Sequence, residues 1–96
     1  MATVDYAPRA LADLERLVDF LVEADAASAG STFDLIESAV SVLERHPLMG
    51  RPVEAGLREL VISRGRTGYL ALYRYDETRD RVLVLTVRHQ REAGYL

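Results

Sequence analysis

The chain has 96 residues, of which 49% are hydrophobic, and a formal net charge of −3. This length suits one domain with a single core, and a mildly acidic chain is not typical of a general nucleic-acid binder. The lack of cysteine excludes disulfides and thiol chemistry. Since no basic start precedes an apolar run and no apolar stretch approaches the roughly 20 residues of a membrane span, we expect a cytoplasmic protein without membrane segments.

The charges are unevenly distributed along the chain. Residues 1–50 contain three Arg and nine acidic residues, whereas residues 51–96 contain nine Arg and six acidic residues, so the halves carry −6 and +3. All twelve basic residues are Arg and none is Lys, which fits either a genome rich in Arg codons or a need for bidentate contacts with carboxylate or phosphate. The second half is therefore where a local basic surface is expected.

The first half predicts a short strand followed by a helical hairpin. Thr3–Tyr6 alternates polar and apolar residues as an edge strand would, and Pro8 suits the first turn of a helix. From there to about Ala26, apolar residues recur at spacings of three and four, as in an amphipathic helix. Residues 25–32 lose that rhythm and predict the turn, and residues 33–43 restore it as a second helix.

The second half changes to a period of two after a connecting loop at residues 51–56. It predicts an antiparallel meander whose last strand is apolar on both faces and therefore internal, with strands at residues 57–64, 69–75 and 81–88. Residues 1–96 thus form one α+β domain of order βααβββ. The helical hairpin is expected to cover one face of a small antiparallel sheet and to leave the other face partly bare.

A compact polar cluster follows the last apolar strand, with Arg88, His89, Arg91 and Tyr95. One interpretation is a solvated tail, because isolated surface charges contribute little. In the other interpretation His89 continues the alternation after Val87, so that an imidazole, two guanidiniums and a phenol converge at the strand end. Such a set would bind phosphate or cleave RNA.

A second basic set lies on and between the strands of the meander: Arg58, Arg64, Arg66 and Arg74. Charged residues in turns and at sheet edges often serve only to prevent edge pairing, which is the interpretation for Arg66. Arg58 and Arg64 share a parity in their strand. If that face lacks helices, they and the tyrosines of the next strand form a basic and aromatic surface for nucleic acid or an acidic partner: Tyr69, Tyr73 and Tyr75.

The histidines do not predict a metal centre. His46 and His89 are the only two, no Cys accompanies them, and the sequence has no HExxH spacing. His46 beside Pro47 is interpreted as a cation at a helix end, where the dipole stabilises it. No Ser lies in a nucleophile-elbow motif. We therefore predict no metal and no cofactor.

Six short motifs, in this order and at this spacing, resemble the RelE/ParE superfamily of bacterial type II toxins. They are Tyr6-Ala7-Pro8-Arg9-Ala10, Asp13-Leu14, His46-Pro47-Leu48-Met49-Gly50-Arg51, Leu57-Arg58-Glu59-Leu60, Tyr69 through Tyr75, and Val87-Arg88-His89-Gln90-Arg91. The resemblance implies the βααβββ fold and a small toxin neutralised by a cognate antitoxin. RelE-like members cut mRNA on the ribosome, using basic residues on the sheet and Arg, His or Tyr near the C-terminus, whereas ParE-like members inhibit DNA gyrase.

Within this superfamily the sequence favours the ParE-like toxin, of the plasmid stabilization type. Leu70 stands where RelE-like nucleases commonly place an Arg, the sheet lacks Lys, and the hairpin is long. The alternatives are a RelE-like mRNA endonuclease, using Arg58, His89, Arg91 and Tyr95, and a non-toxic module that only binds antitoxin.

The implied partners are DNA gyrase and a ParD-like antitoxin, with operator DNA reached only through the antitoxin. We expect the antitoxin to bring an amphipathic segment to the hairpin and acidic residues to the Arg-bearing strands. The residues predicted to contact target or partner are Arg58, Arg64, Arg74, Arg88, His89, Arg91 and Tyr95.

Overall fold

A computed structural model of the protein describes residues 1–62 and 68–90. Short 3-10 turns at Val42–Glu44 and Glu54–Gly56 connect some of its longer elements. The helices and strands, in chain order, are β1 (Thr3–Tyr6), α1 (Pro8–Ala24), α2 (Ala26–Ser41), β2 (Arg51–Pro52), β3 (Arg58–Ile62), β4 (Tyr69–Asp76) and β5 (Arg81–His89).

The strands form one five-stranded sheet in the order β1-β5-β4-β3-β2. The α+β class, the helical hairpin and the internal position of β5 are confirmed. Two details differ from the prediction. The sheet is mixed, because β1 runs parallel to β5 with Val4 opposite Val82. Arg51–Pro52, predicted as loop, forms the short edge strand β2 against Glu59 and Arg58.

The turn between the helices is a single residue rather than the predicted segment 25–32. Asp25 has an extended backbone, and its carboxylate accepts a hydrogen bond from the Ala27 amide at 3.1 Å, which caps α2. α2 therefore begins at Ala26, well before Phe33. Its first turns are rich in Ala, which favours a helix without any apolar rhythm.

The hydrophobic core lies between the hairpin and one face of the sheet. Helix residues such as Leu14, Leu17 and Ile36 pack there against buried residues of β3, β4 and β5. Tyr69 and Tyr73 point into this core and are 5% and 0% exposed. The prediction that the tyrosines contribute to an aromatic surface is therefore wrong for these two residues.

A bulge in β5 changes the alternation of its side chains. Leu72 pairs with Thr86 and Tyr73 pairs with Val84, so the intervening Leu85 has no partner on β4. As a result Val87 joins Val82 and Val84 in the core. Val87 therefore does not share the face of Leu83, as strict alternation predicted.

Candidate functional site

The end of β5 places its two polar residues on opposite faces of the sheet. His89 pairs with Tyr69 across the strands, and their rings meet edge to face with centroids 5.3 Å apart. Arg88 pairs with Leu70 and so points to the other face. Arg88 and His89 therefore do not converge. Arg91 and Tyr95 lie outside the described residues, so the rest of the predicted cluster stays a prediction.

The sheet face away from the helices combines aliphatic side chains with arginines, and we call it the bare face. Val61 and Leu83 are 40% and 37% exposed there. One cross-strand row runs Val61, Leu70, Arg88, and Asp5 of β1 lies beside Leu83. The bare face consists of Arg51, Val61, Leu70, Leu72, Arg74, Leu83 and Arg88.

One carboxylate is buried on this face and is neutralised there. Glu59 is 7% exposed. Its Oε1 accepts from Arg51 Nη2 at 2.7 Å and from Arg51 Nε at 2.9 Å. Arg51 itself keeps a mostly exposed side chain. The pair satisfies the buried charge and fixes the short edge strand, because each partner lies directly opposite the other.

Arg58 lies on the helix side of the sheet, opposite Tyr73. The predicted basic and aromatic surface required a sheet face without helices, and Arg58 does not lie on such a face. Its Nη1 donates to the carbonyl oxygens of Leu48 at 3.1 Å and Gly50 at 2.7 Å. The guanidinium thus already holds a loop. Arg74 is exposed on the bare face, as a partner contact requires, whereas Arg64 lies outside the described residues.

The loop that Arg58 holds was not predicted as part of a site. Tyr73 Oη donates to the Pro47 carbonyl at 2.7 Å and accepts from the Gly50 amide at 2.9 Å. Burial raises the pKa of the Tyr73 hydroxyl, while the Gly50 amide and Arg58 act in the opposite direction. Leu48 and Met49 nevertheless stay more than half exposed. The feature of the sequence that could have pointed to this loop is the pair of large apolar residues between Pro47 and Gly50.

A carboxylate of α1 reaches the bulge of β5. Asp13 Oδ2 accepts a hydrogen bond from the Thr86 hydroxyl and another from the Val87 amide at 3.1 Å. Thr86 and Val87 are both buried. Asp13 therefore ties the helical hairpin to the strand that carries Arg88 and His89.

A groove of about 680 Å³ runs along the helical hairpin between α1 and α2. Apolar side chains of both helices line it, including Leu11, Val22 and Phe33. Its charged lining residues are all acidic: Glu15, Asp19, Asp34 and Glu37. Tyr6 also lines the groove, and burial together with the charge of Glu37 raises the pKa of its hydroxyl. The groove suits an apolar segment that carries basic residues at its sides.

Within residues 1–62 and 68–90, no three His, Asp or Glu side chains are placed to hold a metal ion. Neither described helix is long and apolar enough to cross a membrane.

Comparisons with known proteins find one family model and related toxins. The family model described as the ParE toxin of type II toxin-antitoxin system, parDE, matches residues 4–94. The chain is 35% identical over 92 residues to toxin RelE3 of Caulobacter vibrioides, covering 96% of this chain and 98% of that protein.

Solved structures of two toxin–antitoxin systems have the same fold. A chain of the chromosomal ParDE system from P. aeruginosa superposes with a TM-score of 0.77 at 24% identity, covering 93% of this chain and 96% of the other. A chain of the RelBE2 complex from Mycobacterium tuberculosis gives a TM-score of 0.62 at 30% identity, covering 93% and 98%.

Proposed function

Since the chain belongs to the ParE toxin family of type II toxin–antitoxin systems, we propose that it arrests growth by inhibiting DNA gyrase and is neutralised by a ParD-like antitoxin. The target surface is the bare face. A toxin of this kind acts by binding a protein and requires no cofactor.

The central row of the bare face carries this proposal. Leu70 lies between Val61 and Arg88, so the middle of the face is aliphatic. RNA cleavage needs cations and an acid–base pair around one phosphate, and losing one such group costs about 10²–10³ in kcat. An aliphatic centre flanked by arginines instead resembles a protein interface, in which apolar side chains and Arg are enriched.

The separation of Arg88 and His89 argues against the polar cluster at the end of β5 as one RNA-cleaving centre that includes both residues. One side chain points to the bare face and the other lies against Tyr69 on the helix side. A general acid–base residue must come within hydrogen-bond reach of the group whose proton it transfers. His89 and Arg88 therefore cannot serve one phosphate together in this arrangement.

The antitoxin is proposed to bind the helical hairpin. An amphipathic helix would place its apolar side in the groove and basic residues against Glu15, Asp19 and Glu37. A separate acidic stretch of the same antitoxin would meet the arginines of the bare face, which would keep the toxin from its target. In this scheme the toxin acts in the cytoplasm and reaches operator DNA only through the antitoxin.

A RelE-like mRNA endonuclease is the second candidate. The 35% identity to a toxin named RelE3 favours it. The residues that would carry out this chemistry are Arg58, His89, Arg91 and Tyr95. Cleavage of ribosome-bound mRNA that disappears in His89→Ala or Arg91→Ala would replace the gyrase proposal with this one.

Three assays separate the candidates. Induction of the chain without antitoxin measures growth arrest, and a chain that never slows growth is a non-toxic module. Purified chain is then added to gyrase with relaxed plasmid and, separately, to ribosomes with bound mRNA. Inhibited supercoiling with intact mRNA is the expected result. Adding purified antitoxin in equimolar amount should restore supercoiling, which serves as the control for specific inhibition.

A further inference from the structure

The loop that follows α2 presents two large apolar side chains to solvent. Leu48 and Met49 are 56% and 55% exposed, although they are adjacent and close to the buried core. Single exposed apolar residues are common on protein surfaces and need no explanation. Two neighbours on one loop are a candidate contact if the backbone holds them in place.

The backbone of this loop is held at nearly every residue. The Pro47 carbonyl accepts from buried Tyr73, the carbonyls of Leu48 and Gly50 accept from Arg58, and the Met49 amide donates to the His46 carbonyl at 3.0 Å. A Cβ at Gly50 would lie 2.6 Å from Tyr73 Cε1 and 2.9 Å from the Glu59 carbonyl oxygen. A surface fixed in this way loses little conformational entropy on binding.

The charges around the loop indicate the chemistry of its partner. Arg45 precedes the loop, Arg51 follows it and is paired with Glu59, and His46 is exposed. Residues 45–51 contain no acidic side chain. Glu77 and Tyr75 line a depression together with Leu48 and Met49. A partner would therefore offer an apolar pocket with carboxylates on the side of Arg45.

The loop is connected to the bare face through Arg51 in the edge strand β2. Arg51 directly follows Gly50, and its guanidinium lies on the bare face against Glu59. Both surfaces combine apolar side chains with arginines, whereas the charged residues of the hairpin groove are acidic. Complementary charge therefore assigns the loop to the partner of the bare face rather than to the segment in the groove.

We propose that Leu48 and Met49 form part of the target-binding surface and insert into an apolar, acid-flanked pocket of the protein target. This inference rests on the proposed function in one respect, namely that the target is a protein. In this proposal the target contacts two parts of the toxin, namely the bare face and the loop with Leu48 and Met49, which lies on the helix side of the sheet.

The test compares the double variant Leu48→Ser/Met49→Ser with Phe20→Ser. Phe20 is 69% exposed on α1 and does not line the groove, so Phe20→Ser is a control for the loss of a large exposed apolar side chain elsewhere. The expected result is that the double variant needs at least about tenfold more protein for half-maximal growth arrest, the size expected from losing an interface anchor. Phe20→Ser should arrest growth like the unmodified chain.

Two further measurements make the outcome decisive. The thermal midpoint of the double variant should be unchanged and its affinity for purified antitoxin should stay within about twofold; Leu48→Ala/Met49→Ala replaces it if it does not fold. Growth arrest equal to that of the unmodified chain overturns the proposal, and so does a loss confined to antitoxin binding. If the unmodified chain arrests growth without inhibiting gyrase, only the choice of gyrase as the target is overturned. The loop proposal is still tested in that case, because the comparison of growth arrest between the variants does not depend on which protein is the target.

Discussion

Asp13 and Thr86 connect the first helix to the last strand of the sheet. The Asp13 carboxylate accepts hydrogen bonds from the Thr86 hydroxyl and from the Val87 amide, so one side chain satisfies two buried donors at the bulge. The hairpin with its groove and the strand that carries Arg88 are therefore held in one fixed arrangement.

Removing that carboxylate should destabilise the fold. Asp13→Ala leaves the Thr86 hydroxyl and Val87 amide without this acceptor, and each buried unsatisfied group costs about 1–3 kcal/mol. Urea unfolding measures the free energy. Arg16→Ala is the control, because its ion pair with Asp13 at 3.6 Å is half exposed and such pairs contribute about 0–1 kcal/mol. Equal stability of Asp13→Ala and the unmodified chain would contradict the role of this contact.

Two glycines should respond in opposite ways to alanine. At Gly50 a methyl group would meet Tyr73 and the Glu59 backbone below 3.0 Å, so Gly50→Ala should lose about 1–3 kcal/mol of unfolding free energy. Gly30 lies inside α2 with nothing within 4 Å of its Cβ position, so Gly30→Ala should gain about 0.5–1 kcal/mol. Unfolding curves of both variants test this. A Gly50→Ala protein as stable as Gly30→Ala would show that the loop is not held as described.

Stability should fall at high pH because Tyr6, Tyr73 and Tyr75 have raised pKa values in the folded protein. A hydrogen bond to Asp80, with nearby acidic residues adding to it, raises the pKa of Tyr75 to about 12, and burial raises the pKa of Tyr73. Unfolded tyrosine ionises near pH 10, so above that pH the folded state binds more protons than the unfolded state. Their contribution is complete below about pH 10 and is lost as pH rises toward 12.

The measurement is a series of urea midpoints between pH 8 and pH 11.5, a range set by these pKa values. In Tyr75→Phe the decline above pH 10 should be shallower than in the unmodified chain. A decline of the same steepness in both proteins would show that this hydroxyl does not contribute.

The order of the elements could be predicted because each segment carries its own period. Residues 8–24 repeat at helical spacing, and β3 to β5 alternate, so neither depends on distant parts of the chain. Which face of β4 is buried against the helices could not be predicted in the same way. Both parities are rich in apolar residues, and Tyr73 is buried because its hydroxyl meets Pro47 and Gly50, which lie 26 and 23 residues away.

The remaining errors also have physical causes. The pairing of β1 with β5 joins residues more than 75 positions apart, and periodicity carries no information on partners at that distance. The early start of α2 follows from helix propensity and from the Asp25 cap, neither of which produces an apolar rhythm. The bulge at Leu85 reversed the faces of the residues beyond it, so the site at the end of β5 differs most from its prediction.

Charge reversal on the bare face should reduce toxicity without affecting folding. Arg74→Glu changes an exposed side chain on the proposed target surface, and removal of a hot-spot arginine from an interface costs about 2 kcal/mol or more, about 30-fold in affinity. Arg9→Glu makes the same charge change at an exposed position near the start of α1. Gyrase inhibition by the two variants should differ accordingly. Equal inhibition by both would exclude Arg74 from the interface.

Arg58 provides a contrast to Arg74. Because its guanidinium holds the carbonyls of Leu48 and Gly50, Arg58→Glu should weaken binding of the target mainly by disturbing this loop. A lower unfolding free energy should therefore accompany the lost affinity. Unchanged stability together with weaker binding would instead indicate a direct contact, and unchanged affinity would remove Arg58 from the partner surface.

The most direct test of the proposed function is a supercoiling assay with purified gyrase, relaxed plasmid and increasing amounts of the antitoxin-free chain. A parallel reaction contains ribosomes with bound mRNA. The account predicts that supercoiling stops as the chain is added while the mRNA stays intact. Supercoiling at the uninhibited rate, together with cut mRNA, would contradict it.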